Sequence, residues 1–122
     1  MATIDITEQT FEETIKSNDI VIIDFWAEWC GPCKSFAPTY ETVSEKHEDI
    51  VFGKVDTEAE QALGAHFQIR SIPTLMIFRE EIVLFSQAGA LQASQLEDVI
   101  GKVRELDMEK VREEVEKQAA AG

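Results

Sequence analysis

Cysteine is scarce: the 122 residues hold two, Cys30 and Cys33. A disulfide between them would close too short a loop to staple a fold. On chain-entropy grounds it contributes about 2 kcal/mol, against about 4.7 kcal/mol for a 100-residue loop. Structural zinc takes four ligands and the C-x-x-C supplies two. His47 and His66 stand at no matching spacing, so the only metal reading left is one shared between two chains. Basic residues are also few. The 11 Lys+Arg against 24 Asp+Glu leave a net charge of −13, which repels phosphate backbones and anionic membrane surfaces. No apolar run approaches the roughly 20 residues of a membrane span. The N-terminus, MATIDITEQTFEE, has neither a basic n-region nor an apolar h-region. The expectation is a cytoplasmic protein, although a processed mature chain would read the same way. There is no internal repeat, no G-x-G-x-x-G and no P-loop, so no nucleotide site is expected.

What is present is ordinary globular composition, 44% hydrophobic and 29% charged, which excludes wholesale disorder. A chain this long buries about two thirds of its unfolded surface as a single domain. Strand-like and helix-like segments alternate. Thr3–Ile6 reads as a short strand. Thr7 is a candidate N-cap for a helix running to about Lys16. Ile20–Trp26 is apolar and β-branched, broken only by Asp24, as in a strand buried on both faces. A helix is predicted from near Cys33 to about His47, kinked at Pro38. Ile50–Asp56 reads as a second central strand and Glu58–Phe67 as a short helix. Thr74–Arg79 and Ile82–Ala88 read as strands joined by a tight connection. A last helix follows Ser94, where Ser94-Gln95-Leu96-Glu97 fits a capping box, with Leu96, Val99, Ile100 and Val103 as its apolar stripe. The alternation predicts an α/β fold with a mixed sheet of four to five strands and helices on both faces.

The cysteine pair lies between a buried strand and a helix. Helix N-terminal N–H groups and the positive dipole end favour a thiolate there. Cys30 is placed at the exposed end of the turn and Cys33 one turn further in, on the same helix face. Pro32 suits the first turn, where its missing N–H costs nothing. This arrangement suits thiol–disulfide exchange: Cys30 attacks, Cys33 resolves. Cys33 then needs a base, and Asp24 is the candidate, because burial raises a carboxyl's pKa toward neutrality. The alternative is a solvated aspartate at the strand end.

These residues closely resemble the thioredoxin family. Asp24-Phe25-Trp26-Ala27-Glu28-Trp29-Cys30-Gly31-Pro32-Cys33-Lys34 matches its active-site segment, and Ala37-Pro38 its kinked helix. Arg70-Ser71-Ile72-Pro73-Thr74 matches the loop bearing its cis-proline, Gly89-Ala90 its groove glycine, and Lys54-Val55-Asp56 its third strand, whose lysine lies near the buried aspartate. The resemblance covers about residues 1–105 and leaves 106–122 as a helical extension rather than a second domain. It implies a thioredoxin fold, a redox-active Cys30–Cys33 disulfide, and catalytic roles for Cys30, Cys33 and Asp24, supported by Trp29, Gly31, Pro32, Lys54 and Pro73. Trp29, Gly31, Pro32, Ile72, Pro73, Gly89 and Ala90 would form the apolar surface that receives client disulfides. Gly-Pro between the cysteines marks the family's reductants. The implied activity is protein disulfide reduction by a monomer acting transiently on clients. It binds no cofactor, and its electrons come from NADPH through a flavoprotein thioredoxin reductase. A pure scaffold would need neither Cys33 nor Asp24. A dedicated donor to one enzyme, such as a peroxiredoxin, would have the same sequence features as a general reductant.

Other features read as structural. His47 and His66 are expected at the surface or boundary, and Trp26 packing behind the site. Glu41, Glu45, Glu48 and Asp49 are expected to form a solvated face. Two features depart from the family. Arg79-Glu80-Glu81-Ile82 lacks the usual turn glycine, so a type I′ turn there would force positive φ on glutamate. Beyond Leu106 the core stripe stops. Met108, Val111 and Val115 fall on another face, either in a separate helix capped by Asp107 or in a fraying continuation.

Overall fold

The computed structural model describes residues 2–121. Its elements run β1 (Thr3–Asp5), α1 (Phe11–Ser17), β2 (Ile20–Trp26), α2 (Gly31–Ser44), β3 (Val51–Asp56), α3 (Gln61–His66), β4 (Thr74–Arg79), β5 (Ile82–Ala88), α4 (Ala93–Glu105) and α5 (Met108–Ala121). The strands form one mixed sheet in the order β1-β3-β2-β4-β5. β1, β3 and β2 are parallel; β4 runs antiparallel to β2, and β5 antiparallel to β4. The expected α/β fold and closing hairpin are both present.

Side chains alternate along a strand, so each strand feeds two cores. Ile20 and Ile22 of β2, with Leu75 and Ile77 of β4, pack against Phe36, Tyr40 and Val43 of α2 and Leu96, Ile100 and Val103 of α4. Val21, Ile23 and Phe25, with Met76 and Phe78, pack on the opposite face around Ile15 of α1 and Leu63 of α3. This parity puts Asp24 on the α2/α4 face. The Tyr40 hydroxyl, fully buried, sits 3.0 Å from the Ile22 carbonyl and 2.8 Å from that of Gly53, tying α2 to two central strands. Gly53 is required by close approach, since a Cβ there would collide with the Ile6 side chain.

Several local expectations are corrected. Thr7 does not cap α1; a turn intervenes, and the helix starts after Thr10, whose N–H and that of Phe11 donate to the Thr7 carbonyl. The capping box of α4 is built by Gln92 and Gln95, two residues before the expected Ser94 cap. Both are glutamine at the box positions, so the reciprocal bonds form without the usual serine. α2 begins at Gly31, two residues earlier than predicted. The acidic cluster is only partly a solvated face: Glu41 accepts from the Ala2 N–H and the Thr3 hydroxyl, and Asp49 pairs with Arg104 of α4. The two histidines lie where expected: His47 is at the boundary, half-buried and bonded to Glu97 at 2.5 Å and to Arg104 at 3.0 Å, and His66 is exposed.

The β4–β5 connection is a two-residue turn with Glu80 at φ 52° and Glu81 at φ 68°. The type I′ conformation that disfavours glutamate is adopted nevertheless, because its twist matches the flanking strands. Contacts from outside the turn hold it. The Glu80 N–H donates to the Asp19 carbonyl at 2.9 Å, and Arg112 of α5 bonds the Glu80 carboxylate. Arg79 at the end of β4 reaches the Val103 carbonyl at 2.9 Å, satisfying the C-terminal end of α4. α5 is a separate helix, and Asp107 caps it through the Glu109 and Lys110 N–H groups. Met108 is buried, Val111 half-buried and Val115 exposed, so only the first turns of α5 touch the domain.

Candidate active site

β2 ends at Trp26, and α2 starts five residues later, which brings the C-x-x-C to the helix N-terminus. Cys30 is the N-cap; its Sγ accepts the Cys33 N–H at 3.2 Å. Gly31 and Pro32 open the first turn, where no intrahelical donor is lost to proline. The two sulfurs are joined as a disulfide, with Cα atoms 5.3 Å apart. The expected contrast in exposure is absent: Cys30 is 3% exposed and Cys33 2%. Cys30 is covered from across the site, where the Ile72 carbonyl lies 3.7 Å from its Sγ. Of the two cysteines, only Cys30 lines the adjacent groove.

That groove has a volume of about 790 Å³ and runs from Trp29, Cys30 and Pro32 to Gly64 of α3 and the Arg70–Ile72 loop. Trp29 stands 70% exposed, and its indole N–H donates to the Glu58 carboxylate at 2.6 Å. The Ile72–Pro73 bond is cis. The Pro73 carbonyl accepts the Gly89 N–H at 2.8 Å, and Gly89 sits at φ 101°, where a side chain would be strained. The structure therefore brings Trp29, Cys30, Gly31, Pro32 and Ile72 together around the groove and ties Pro73 to Gly89 beside it. Ala90 follows Gly89 and is exposed.

Asp24 is 1% exposed, and neither carboxylate oxygen has a hydrogen-bond partner among the described residues. Burial pushes its pKa from 3.8 up to about 7, with the Lys54 charge opposing the rise. Lys54 is directly across the parallel β2–β3 ladder, its ammonium 4.6 Å from the Trp26 ring centroid. Asp24 is thus a buried group rather than a solvated strand end, and it lies beneath α2. Trp26 packs half-buried beside this pair.

Glu58 was not legible in the sequence as a site residue. It stands 29 positions from Trp29, and only the β3–α3 turn brings it across. Among the described residues no group of three or more metal-ligating side chains occurs, and no helix is long and apolar enough to cross a membrane.

The sequence model of the family described as Thioredoxin matches residues 2–102. The chain belongs to the thioredoxin family. Within that family it is 55% identical to the "Putative thioredoxin 2" of Streptomyces coelicolor, over 99% of this chain and 91% of that one. It is 36% identical to the thioredoxin of Porphyra purpurea over 84% of this chain and 97% of the relative. The thioredoxin fold is also seen in solved neighbours. Chloroplastic thioredoxin z superposes with a TM-score of 0.78 at 28% identity, covering 85% of this chain and 96% of that one. Malassezia sympodialis thioredoxin gives 0.74 at 30% identity, covering 82% and 89%. As a thioredoxin-family member, the chain is an oxidoreductase acting on protein disulfides through the Cys30–Cys33 pair.

Proposed function

We propose that this protein is a reductant of client disulfides, with Cys30 as nucleophile, Cys33 as resolving thiol and Asp24 as the base. In the reduced protein the Cys30 thiolate, stabilised at the N-terminus of α2, attacks one sulfur of a client disulfide. A Cys30–client bond forms, and the other client sulfur leaves as a thiolate that takes a proton from water. Asp24 accepts the Cys33 proton, and the Cys33 thiolate attacks Cys30 Sγ. The second client thiolate departs, leaving the Cys30–Cys33 disulfide. Two electrons are transferred to the client, and two must be returned to the protein.

The observation that carries this reading is the C-x-x-C disulfide at the mouth of a groove, with an unpartnered carboxyl buried beneath the same helix. Trp29, Ile72, Pro73, Gly89 and Ala90 form the client surface, and Gly31, Pro32 and Lys54 support the chemistry. A flavoprotein thioredoxin reductase drawing on NADPH is the electron source, the cytoplasm the compartment, and a monomer the working unit. The chain needs no bound cofactor, and neither nucleic acid nor membrane is a partner. Residues 1–105 form the thioredoxin domain and 106–122 an extension of it.

The test is reduction of an accessible protein disulfide with dithiothreitol as electron source. The wild type is expected to accelerate it, and Cys30→Ser to abolish the acceleration. Normal turnover by Cys30→Ser would overturn the assignment.

A further inference from the structure

In a chain with 24 carboxylates and a net charge of −13, a guanidinium without a carboxylate partner is unexpected. Three of the four arginines have partners: Arg79 with Asp19 and the end of α4, Arg104 with Asp49, and Arg112 with Glu80. Arg70 is exposed and has neither a salt bridge nor a side-chain hydrogen bond among the described residues. Among the described residues it is also the one charged side chain lining the groove beside Cys30. Two residues along the chain, the Ile72 carbonyl lies 3.7 Å from Cys30 Sγ. Two residues of chain span at most about 7 Å, so a client cysteine at Cys30 has its near neighbours within reach of this side chain. The other charges around the dithiol are engaged: Glu58 holds the Trp29 indole, and Glu28 faces Lys34 at 3.9 Å. Arg70 also lines a second, smaller cavity on the other side of its loop, toward Ser86 and Ala88.

Resting on the reductase reading, we infer that Arg70 is a specificity-determining residue that pairs with a carboxylate flanking the client's attacked cysteine. The preferred clients are then disulfides in acidic segments. The choice is counter-intuitive for so acidic a protein, and the two effects act over different ranges. Whole-chain repulsion is screened beyond about 8 Å at physiological ionic strength, whereas a direct guanidinium–carboxylate contact is not. Such a contact is charge-assisted and geometrically selective.

The experiment uses the pre-reduced full chain in single turnover at 0.15 M salt. Two quenched-fluorophore peptide disulfides are compared, identical except for Glu or Gln on both sides of the cysteine. The wild type is expected to cleave the Glu peptide faster by about 3- to 10-fold, the scale of one partly exposed ion pair. Arg70→Gln should bring the ratio of rate constants close to one, and Arg70→Glu should invert it. Lys110→Gln removes the same charge from α5, remote from the groove, and should leave the ratio as in the wild type. A ratio unchanged by Arg70→Gln overturns the inference while leaving the reductase reading intact. So does a ratio lowered equally by Lys110→Gln. Failure of the wild type to cleave either peptide overturns the reductase reading and this inference with it.

Discussion

Arg112 of α5 bonds the carboxylate of Glu80, the first residue of the β4–β5 turn. A helix lying beyond residue 102, where the match to the family model ends, is thereby joined to a turn whose two glutamates both hold positive φ. Both partners remain partly exposed, so the pair is worth at most about 1 kcal/mol.

Glu81 holds φ 68° with no side-chain hydrogen bond or salt bridge among the described residues, whereas Glu80 has Arg112 and the Asp19 carbonyl. Glu81→Gly is expected to raise stability by about 1 kcal/mol, the left-handed penalty less the extra chain entropy of glycine. Glu80→Gly should gain less, because the ion pair is lost. Urea denaturation of the two variants reads the difference.

Deletion of 107–122 removes one buried methionine and the Glu80–Arg112 pair, while Val115 and the distal turns are already exposed. The expected cost is about 2–4 kcal/mol, most of it from Met108. Disulfide reduction should persist, since no α5 residue lines the groove. A folded truncation without activity would show that α5 shapes the site.

Asp24 carries a pKa of about 7 in the folded chain against 3.8 as its ordinary value. Between those values the folded state binds more protons than the unfolded one, so stability falls as pH rises through this window. The loss approaches about 4 kcal/mol at 1.36 kcal/mol per pKa unit. Asp24→Asn should therefore match the wild type in stability near pH 4 and exceed it increasingly up to pH 8. Parallel denaturation curves at both ends would show that the carboxyl is not desolvated in solution.

The same variant removes the base. Resolution of the mixed disulfide by Cys33 should slow within the range of about 10²–10⁴ typical of general bases. Initial attack by Cys30 should change far less. Stopped-flow measurement of the two phases separates them. Equal slowing of both would place Asp24 behind Cys30 instead.

Cys33→Ser should attack clients normally and then stop at the mixed disulfide. Capture of many proteins by this variant indicates a general reductant. Capture of one indicates a dedicated donor.

β2, β4 and β5 begin and end where the sequence alone predicts, because β-branched apolar runs bounded by polar residues specify strands by local preference and period. The W-C-G-P-C segment is contiguous, so its chemistry was readable too. Helix starts were less so. α1 and α4 begin where particular side chains meet free N–H groups, and several residues compete for each cap. What only the tertiary structure decided depends on residues distant in sequence. Strand parity and the cover of α2 make Asp24 a desolvated acid. The β3–α3 turn delivers Glu58 to Trp29, and the cis-proline loop delivers Ile72 to Cys30 and leaves Arg70 unpaired at the groove. Local propensity acts over a few residues. Desolvation, and the pairing of a charge or its lack, are properties of the surroundings that the packed sheet and helices create.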